Sequence, residues 1–589
     1  MNVCTSTVSR RSLLKAAGAA GVAAAVLAGT AKPQRAHALN VNPDDVAWDY
    51  EADVVVMGFG VAGATTATTV ERAGSSVIIV ERDEFDNRLS NTRMSGGLIH
   101  CPDADHDPEA LKQYLRCMFS GDTLPGMTEG EYSPLFIDEM VEKFAALEPG
   151  LLDFVTSLDD DIQFNMFGGA AFPTFPGAEK SGYRVYAPMY DVENSGLALH
   201  GNFMDKYETA WGESLMRAFE NELVDNELVQ FLWGHYGESL LQTPEGEVIG
   251  LVALKGGPDG DPVYIKAKKA VMLSSGGYEY SEELRRAFIE GPAVTGWTFY
   301  GTPSNTGQGI VMGLEAGAQM LKASKASCRM ILACPDVLYN GLRFGLNCDA
   351  SVGTEGTYIV NAHGNRFIDE TKFTKDPSRY FSYKEAVYMD ITNLEYPNIP
   401  AYLIFDDNRR QKGALASEAW GLIPFEWDAQ NENAVEAGWI LKADTLEELA
   451  QKILETEDNK GRMSAENLVA ANEQYNQACE TGVDEAFGRV PKKSTNSYTG
   501  DENGWTKCET GPFYAMPLVA GGPNTKGGLL TDANRNVVDW KNQPIPRLYS
   551  AGEMSSCFKW VYQSGGNITE GLVCGQIAGE AMAAEEPWC

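Results

Sequence analysis

The chain has 589 residues and a formal net charge of −35 at pH 7, from 82 acidic against 47 basic side chains. That length is enough for two or more domains with sizeable cores. So acidic a surface excludes nucleic acid and anionic lipid as partners held by charge, and would suit a basic electron-transfer protein.

Residues 1–38 read as a targeting segment. Ser9-Arg10-Arg11-Ser12-Leu13-Leu14-Lys15 is a twin-arginine signature, Ala16 to Ala31 is a mild Ala/Gly-rich apolar run, and Ala36-His37-Ala38 is an A-x-A cleavage site. The run is too short and too weakly apolar to span a bilayer, and no second transmembrane candidate follows. Cleavage removes five basic residues and no acid, so the mature chain starts near Leu39 with a net charge of −40. The expectation is export by the twin-arginine route, which carries folded proteins, to the periplasm or the outer face of the cytoplasmic membrane.

Asp53-Val54-Val55-Val56-Met57 is a short, apolar, β-branched strand. Gly58-Phe59-Gly60-Val61-Ala62-Gly63 follows at once. Ala64 to Ala73 is a small-residue helix ended by Gly74, and Val77-Ile78-Ile79-Val80 is a second strand closed by Glu81. Strand, Gly-x-Gly-x-x-Gly, helix, strand and terminal acid form a complete dinucleotide-binding unit. Gly58 makes the tight turn, Gly60 lets backbone approach a pyrophosphate, and Gly63 lets helix pack on strand. Val61 and Ala62 are expected cofactor contacts ahead of the helix, whose N-terminus faces the phosphates. Glu81, 23 residues after Gly58, stands where an acid binds ribose hydroxyls, with Arg82 beside it.

Ser90-Asn91-Thr92-Arg93-Met94-Ser95-Gly96-Gly97 is small, polar and Gly-ended. It resembles the second phosphate- and flavin-contacting segment of the fumarate reductase and 3-ketosteroid dehydrogenase flavoproteins. The resemblance runs in patches from about Asp53 to the C-terminus. It implies non-covalent FAD on this unit, with Asn91 and Thr92 contacting it and the isoalloxazine running along Ser95-Gly96-Gly97. The fold it implies is α/β: a Rossmann-like FAD-binding domain in two parts, residues 51–285 and 506–589, with an inserted α+β cap or substrate domain over 286–505.

Between residues 100 and 220, acidic loops alternate with helical stretches such as Pro108 to Phe119 and Ser133 to Ser157. The aromatics Phe164, Phe167, Phe172, Phe175, Tyr183, Tyr186 and Tyr190 read as packing, or as a wall of an apolar pocket. From Leu228 the pattern turns to strands, Val229 to Leu232, Ser239 to Gln242 and Val248 to Leu254. Lys269 to Gly277 resembles the family strand that returns beneath the cofactor, which implies a contact at Gly276. Gly301 to Gly309 opens a helix over Ile310 to Ala316. Relatives usually carry Asp where Gln308 stands, so Gln308 is expected to contact FAD by hydrogen bonding without charge.

In the cap region, Gly364-Asn365-Arg366-Phe367-Ile368-Asp369-Glu370 matches a family signature, although Arg366 and Glu370 also suit a structural ion pair. Asp444-Thr445-Leu446-Glu447 reads as a capping box before a helix over Leu446 to Glu455. Toward the C-terminus, Pro544 to Glu553 resembles the strand whose closing Gly552-Glu553 contacts the flavin ribityl chain. Tyr562 to Ile568 leads into a helix over Gly571 to Ala584, and the resemblance places Asn567 and Ile568 at the flavin. There the helix dipole favours negative charge.

Ten cysteines follow the signal, scattered and without C-x-x-C; Cys328, Cys334 and Cys348 match no standard cluster spacing. No zinc motif is visible, and no metal is expected.

Departures from the fumarate reductases bear on the substrate. Their proton-donor Arg falls on Thr374, with Lys375 beside it and Arg379 further on. Their carboxylate-binding His falls on Asn524 and their carboxylate-binding Arg on Gln563. Two carboxylates therefore have no matching bidentate clamp, which argues against fumarate. Tyr562 and Gly566 keep the Tyr-x-x-x-Gly spacing with which ketosteroid dehydrogenases hold a ketone oxygen. Phe373 stands near the register of that family's second Tyr and cannot transfer protons, so Lys375, Arg379, Tyr380 and Tyr383 remain as proton-transfer candidates. The reading is an exported FAD oxidoreductase acting on CH–CH groups, a reductase of an enone or enoate. The alternatives are a ketosteroid-type dehydrogenase running the reverse reaction and a non-catalytic electron carrier. No second dinucleotide unit or haem motif supplies electrons, so a separate cytochrome or flavoprotein partner is expected beside the small-molecule substrate.

Overall fold

The computed structural model describes residues 39–121, 135–168, 171–190, 211–321, 323–326, 329–348, 351–373, 380–416, 427–490, 505–558, 561–563 and 565–589. The targeting segment, Cys328, Thr374, Lys375 and Arg379 lie outside these residues. The architecture is mixed α/β, as expected.

A nine-stranded sheet is built around β1 (Tyr50–Met57) and β2 (Val77–Val80). β1 pairs in parallel with β2 on one side and with Asp261–Leu273 on the other, and Pro544–Ser550 adds in parallel beyond it. The register aligns the carboxyl ends: Val80 lies opposite Met57, Met57 opposite Leu273, and Leu273 opposite Ser550. Four loops therefore leave the sheet at one level, which is where open α/β sheets form their crevice. The carboxyl-terminal halves of the central strands are apolar because both faces are covered there; Val54, Val55 and Val56 are fully buried.

A seven-stranded sheet runs in the order Trp297–Phe299, Leu342–Leu346, Arg329–Tyr339, Phe513–Gly522, Ala401–Asp406, Thr357–Val360, with Leu441–Ala443 also on Phe513–Gly522. At one end Phe299 lies opposite Gly522 and Arg329 opposite Gly521, so Tyr300, Arg329 and Pro523 emerge together. A buried ion network ties the signature segment to the turn that follows the helix Ala465–Thr481. Arg366 meets Asp484 at 2.7 Å and Glu370 at 3.3 Å, and Arg489 meets Glu370 at 3.3 Å. Arg366 and Glu370 are thus structural partners. Phe172, Phe175, Tyr183 and Tyr190 lie in the hydrophobic core.

Several boundaries differ from the sequence reading. The helix after the glycine loop, α1, spans Val61–Arg72, because Thr92 Oγ1 accepts from Val61 N at 3.0 Å and caps it from a distance. The stretch expected as one helix to Ser157 is broken into Ile137–Leu147 and Leu151–Thr156 around Pro149, whose ring cannot continue a helix. The capping box sits one residue later: Thr445 Oγ1 accepts from Glu448 N at 3.2 Å, and Glu448 accepts from Asp444 N at 3.3 Å.

The C-terminal helix, α2 (Gly566–Ala584), packs along α1. A Cβ at Gly571, Gly575 or Gly579 would stand 2.4–2.6 Å from Val61, Thr65 or Thr69 respectively. Each set repeats every fourth residue, so three glycines of one helix receive three side chains of the other. Thr66 Oγ1 reaches Gly575 O at 3.2 Å across the seam. Gly575→Leu forces the helices apart, with an expected loss of about 1–3 kcal/mol by overpacking. Urea unfolding of holoprotein measures it; a midpoint equal to wild type would contradict the seam.

Candidate active site

The four loops and the end of the second sheet enclose a cleft of about 370 Å³. It is lined by Gly58, Gly60, Val61, Ala62, Glu81, Arg82, Asn91, Thr92, Ser95, Gly96, Gly97, Gly276, Gln308, Gly552, Glu553, Tyr562, Asn567 and Ile568. Residues far apart in the chain thus meet at one surface. Gly63 lies just behind it.

The turn after β1 explains its glycines individually. Gly58 has φ of +101°, and a Cβ there would meet Ser274 O at 2.7 Å; a Cβ at Gly63 would meet Gly58 O at 2.0 Å. Both are steric requirements of the fold. Gly60 differs: a Cβ would find only Thr92 Oγ1, at 3.5 Å. The space in front of Gly60 is cleft, and the first-turn N–H groups of Ala62 and Gly63, which helix geometry leaves without intrahelical partners, open beside it. These features fit the pyrophosphate of a dinucleotide.

Glu81 accepts from Phe59 N at 2.8 Å and Asp83 N at 3.1 Å. Burial, and then the Asp83 charge, raise its carboxyl above the ordinary value. Arg82 donates to Ser304 O at 2.6 Å. The Gln308 amide is engaged by strand His235–Gln242, accepting from Tyr236 Oη and donating to Glu238 O, both at 2.9 Å. Thr92, expected as a cofactor contact, uses its hydroxyl to cap α1. Gly97, at φ +58°, abuts Trp211 backbone, which fixes the turn after Ser95.

Glu553 and Glu279 form a buried carboxyl pair at the cleft. Asn91 Nδ2 donates to both at 3.0 Å, Asn305 Nδ2 donates to Glu279 at 3.1 Å, and Thr525 Oγ1 lies 3.2 Å from Glu553 and 3.3 Å from Glu279. Burial raises both, Glu553 well above the ordinary value with the Glu279 charge adding to it. Burial and the neighbouring carboxyl push the pair toward the protonated form. Gly277 makes room: a Cβ there would overlap Glu553 Oε1 at 1.9 Å. The role of Glu279 was not readable from spacing, because its partners come from four separate segments.

At the other end of the cleft, α2 begins. Tyr562 lines the cleft, and Tyr380, 1% exposed, meets its ring edge-on with centroids 5.2 Å apart. Lys526 Nζ lies 5.4 Å over the Tyr562 ring and donates to Asn567 Oδ1 at 2.5 Å. Tyr383 packs instead on Trp297 in the core of the second sheet. The expected oxygen-holding N–H of Gly566 donates to Gln563 O at 2.8 Å and is not presented to the cleft, because Gly566 already closes the turn into α2. Gly565, Asn567 and Ile568 line the cleft there. Gln563 is buried, accepting from Tyr114 Oη, and Asn524 accepts from Asn567 Nδ2 at 3.0 Å. Both positions are neutral. Behind them His100 and Glu148 face each other, fully buried, and burial drives each toward its neutral form.

Among the described residues, Cys557, Glu570 and Cys574 form a compact thiol–carboxylate group that sequence spacing did not reveal. Its atoms are hydrogen-bonded already: Glu570 accepts from Ser556 Oγ at 2.8 Å and from Cys557 N, and Arg535 Nη1 donates to Cys557 Sγ at 3.1 Å. The Cys574 thiol and then Arg535 hold Cys557 below the usual thiol range. No helix among the described residues is long and apolar enough to cross a membrane.

Comparison with known proteins agrees with this geometry. The family described as FAD binding domain matches residues 53–569. The chain is 27% identical to 3-oxosteroid 1-dehydrogenase of Mycolicibacterium smegmatis, over 91% of this chain and 97% of that protein. It is 26% identical to 4-oxocyclohexanecarboxylate 2-dehydrogenase of Sinomonas cyclohexanicum, over 90% and 93%. The crystal structure of 3-ketosteroid Δ1-dehydrogenase from Sterolibacterium denitrificans, with 1,4-androstadiene-3,17-dione, has the same fold: TM-score 0.69, 22% identity, 91% of this chain and 99% of that one.

Because a Cβ at Gly60 meets only Thr92 Oγ1, at the ordinary contact distance of 3.5 Å, Gly60→Val is expected to fold with near-wild-type thermal stability of the apoprotein and to lose FAD. The ratio of flavin absorbance to protein after purification checks this; stoichiometric FAD in the variant would exclude the assigned phosphate site.

Proposed function

The chain belongs to the FAD binding domain family over residues 53–569, and from that premise we propose that it is an exported reductase of an α,β-unsaturated carbonyl compound other than fumarate. Its cofactor is FAD, and it is an FAD-dependent oxidoreductase of the ketosteroid dehydrogenase and fumarate reductase family. When bound, FAD would supply reversible hydride exchange at the β-carbon of a carbon–carbon bond conjugated with the carbonyl.

The observation that carries the reading is Tyr562 in the cleft wall beside the start of α2, flanked by neutral, buried Gln563 and Asn524. A phenol there donates to a carbonyl oxygen as negative charge grows on it, and the N-terminal dipole of α2 favours that charge. Gly566 drops out of this role, its N–H being used within the turn. Of the described proton-transfer candidates, Tyr380 is the one against Tyr562, which it holds edge-on from behind, so its role is to position that phenol. A dicarboxylate would have to leave one charge without a cationic clamp, a costly arrangement in a cleft. The inserted region over 286–505 supplies the second wall.

The reverse direction, dehydrogenation of a saturated ketone, uses the same residues in the opposite sense. The names of two relatives favour it. In either direction electrons pass to or from a separate protein, and the acidic surface suits a basic one. Export by the twin-arginine route is part of the proposal: Arg10→Lys with Arg11→Lys leaves unprocessed, cytoplasmic protein, and N-terminal sequencing of exported wild type begins near Leu39. Normal export of the double variant would refute that route.

Tyr562→Phe removes one donor to a developing oxyanion, worth on the order of 10²–10³ in rate, with FAD content unchanged. Anaerobic single-turnover reoxidation of reduced holoprotein by an enone and by fumarate measures it. Fast reoxidation by fumarate, or a Phe variant as fast as wild type with the enone, would remove this assignment.

A further inference from the structure

Glu553 lines the cleft, while Glu279 is fully buried behind it. Three side chains hold the pair. Asn91 Oδ1 accepts from Thr302 N at 2.8 Å, so the amide is held one way round. It turns both its N–H hydrogens to the carboxyls, one to Glu279 Oε1 and one to Glu553 Oε2, each at 3.0 Å. Asn305 Nδ2 gives one more to Glu279 Oε1 at 3.1 Å. The other two carboxyl oxygens, Glu279 Oε2 and Glu553 Oε1, lie 3.3 and 3.2 Å from a single hydroxyl, Thr525 Oγ1. All three of these atoms stand within 2.5 Å of the point that a Cβ on Gly277 would occupy.

A hydroxyl carries one hydrogen. The nearby backbone N–H of Tyr278 is spent on Thr525 Oγ1 itself, at 3.1 Å. Two carboxyl oxygens therefore share one hydrogen, and a buried acceptor left without one is costly. One proton on the pair completes the set: the acid donates to Thr525 Oγ1, and Thr525 donates to the other carboxyl. The neighbouring charged and titratable groups are directed elsewhere. Lys526 donates to Asn567 Oδ1 and faces Glu570 at 3.6 Å. Arg285 donates to the backbone oxygens of Glu279 at 2.6 Å and Ala293 at 3.2 Å. Tyr278 and Tyr280 turn their hydroxyls to the carbonyls of Ala323 and Phe299. Burial raises both carboxyls in the same sense as the hydrogen count.

We propose that Glu279 is a positioning residue of the cofactor site: it shares one proton with Glu553 through the Thr525 hydroxyl, and that proton keeps Glu553 and Asn91 in the arrangement that receives FAD. Without the proton the pair carries two charges in one buried group, and Glu553, the member at the cleft, moves away. The inference concerns FAD and is independent of the substrate. A cofactor filling the cleft excludes water from Glu553, so the proton is held more tightly with FAD than without. By linkage, FAD affinity is full below the pKa of the pair in the free protein. It falls as pH rises toward the higher pKa in the complex, by up to about tenfold per pH unit.

Apoprotein is titrated with FAD from about pH 6 to pH 9, where ordinary carboxyls do not titrate. Infrared spectra of the oxidised holoproteins are compared in the carboxylic-acid region. Wild type is expected to lose FAD affinity by about tenfold or more across that range. Glu279→Gln supplies a permanent N–H in place of the acid. Its FAD affinity should change by less than about threefold over the same range, and one carboxylic-acid band of wild type should be missing from its spectrum. A wild-type affinity constant with pH would overturn the proposal, whether or not the variant folds. So would the wild-type slope persisting in Glu279→Gln, or an unchanged carboxylic-acid region. A loss of affinity in Glu279→Gln that is equal at every pH, with no band lost, is what a purely structural role gives and would overturn it as well.

Discussion

The close contact between α1 and α2 is the constraint on which the cleft depends. Gly571, Gly575 and Gly579 accept Val61, Thr65 and Thr69 at distances that leave no room for a Cβ. The N-terminal turn of the chain's first described α-helix and that of its last are thereby fixed at one crevice, although Val61 and Gly566 lie 505 positions apart. Both ends present first-turn N–H groups, and both favour negative charge. A wider seam would shift one terminus against the other and separate the phosphate cradle from Tyr562.

The sheet registers complete the arrangement. Val80, Met57, Leu273 and Ser550 end at one level, so the loops after them share a floor. Polar groups placed there have to be satisfied in a small, buried volume. Glu279 and Glu553 meet this demand by sharing Asn91 and Thr525, and Gly277 lets them approach the backbone. Two ionised carboxylates sharing donors would repel strongly in so buried a site.

Charge in the cleft is sparse against a chain whose formal net charge is −35. Long-range repulsion from that surface is screened within about 10 Å at ordinary salt, so what an anion meets inside is decided locally. Arg82 is engaged at the Glu81 end. Gln563 is turned into the buried group around Tyr114, and Asn524 is bonded to Asn567. The second sheet contributes Arg329 and Tyr300 from strands whose ends meet Gly521 and Gly522.

The sequence by itself determined the dinucleotide unit, its glycines, Glu81 and the fold class. Those features are local: a strand, a turn and a helix within thirty-odd residues impose their own backbone requirements. It also marked Arg366 and Glu370 as a possible ion pair, an i,i+4 spacing that a turn of chain brings together. Only the tertiary structure decided the rest. Thr92 caps a helix that begins 31 residues earlier. Glu279 acquires its meaning from Asn91, Asn305, Thr525 and Glu553. Gly566 loses its N–H to a turn whose closure depends on how α2 starts. Arg329 reads as an unremarked strand residue until the register against Gly521 carries it to the cleft. The physical reason is common to all four: a side chain's role there is set by partners far away in sequence, and those partners are chosen by sheet register and helix packing rather than by the spacing of neighbouring residues.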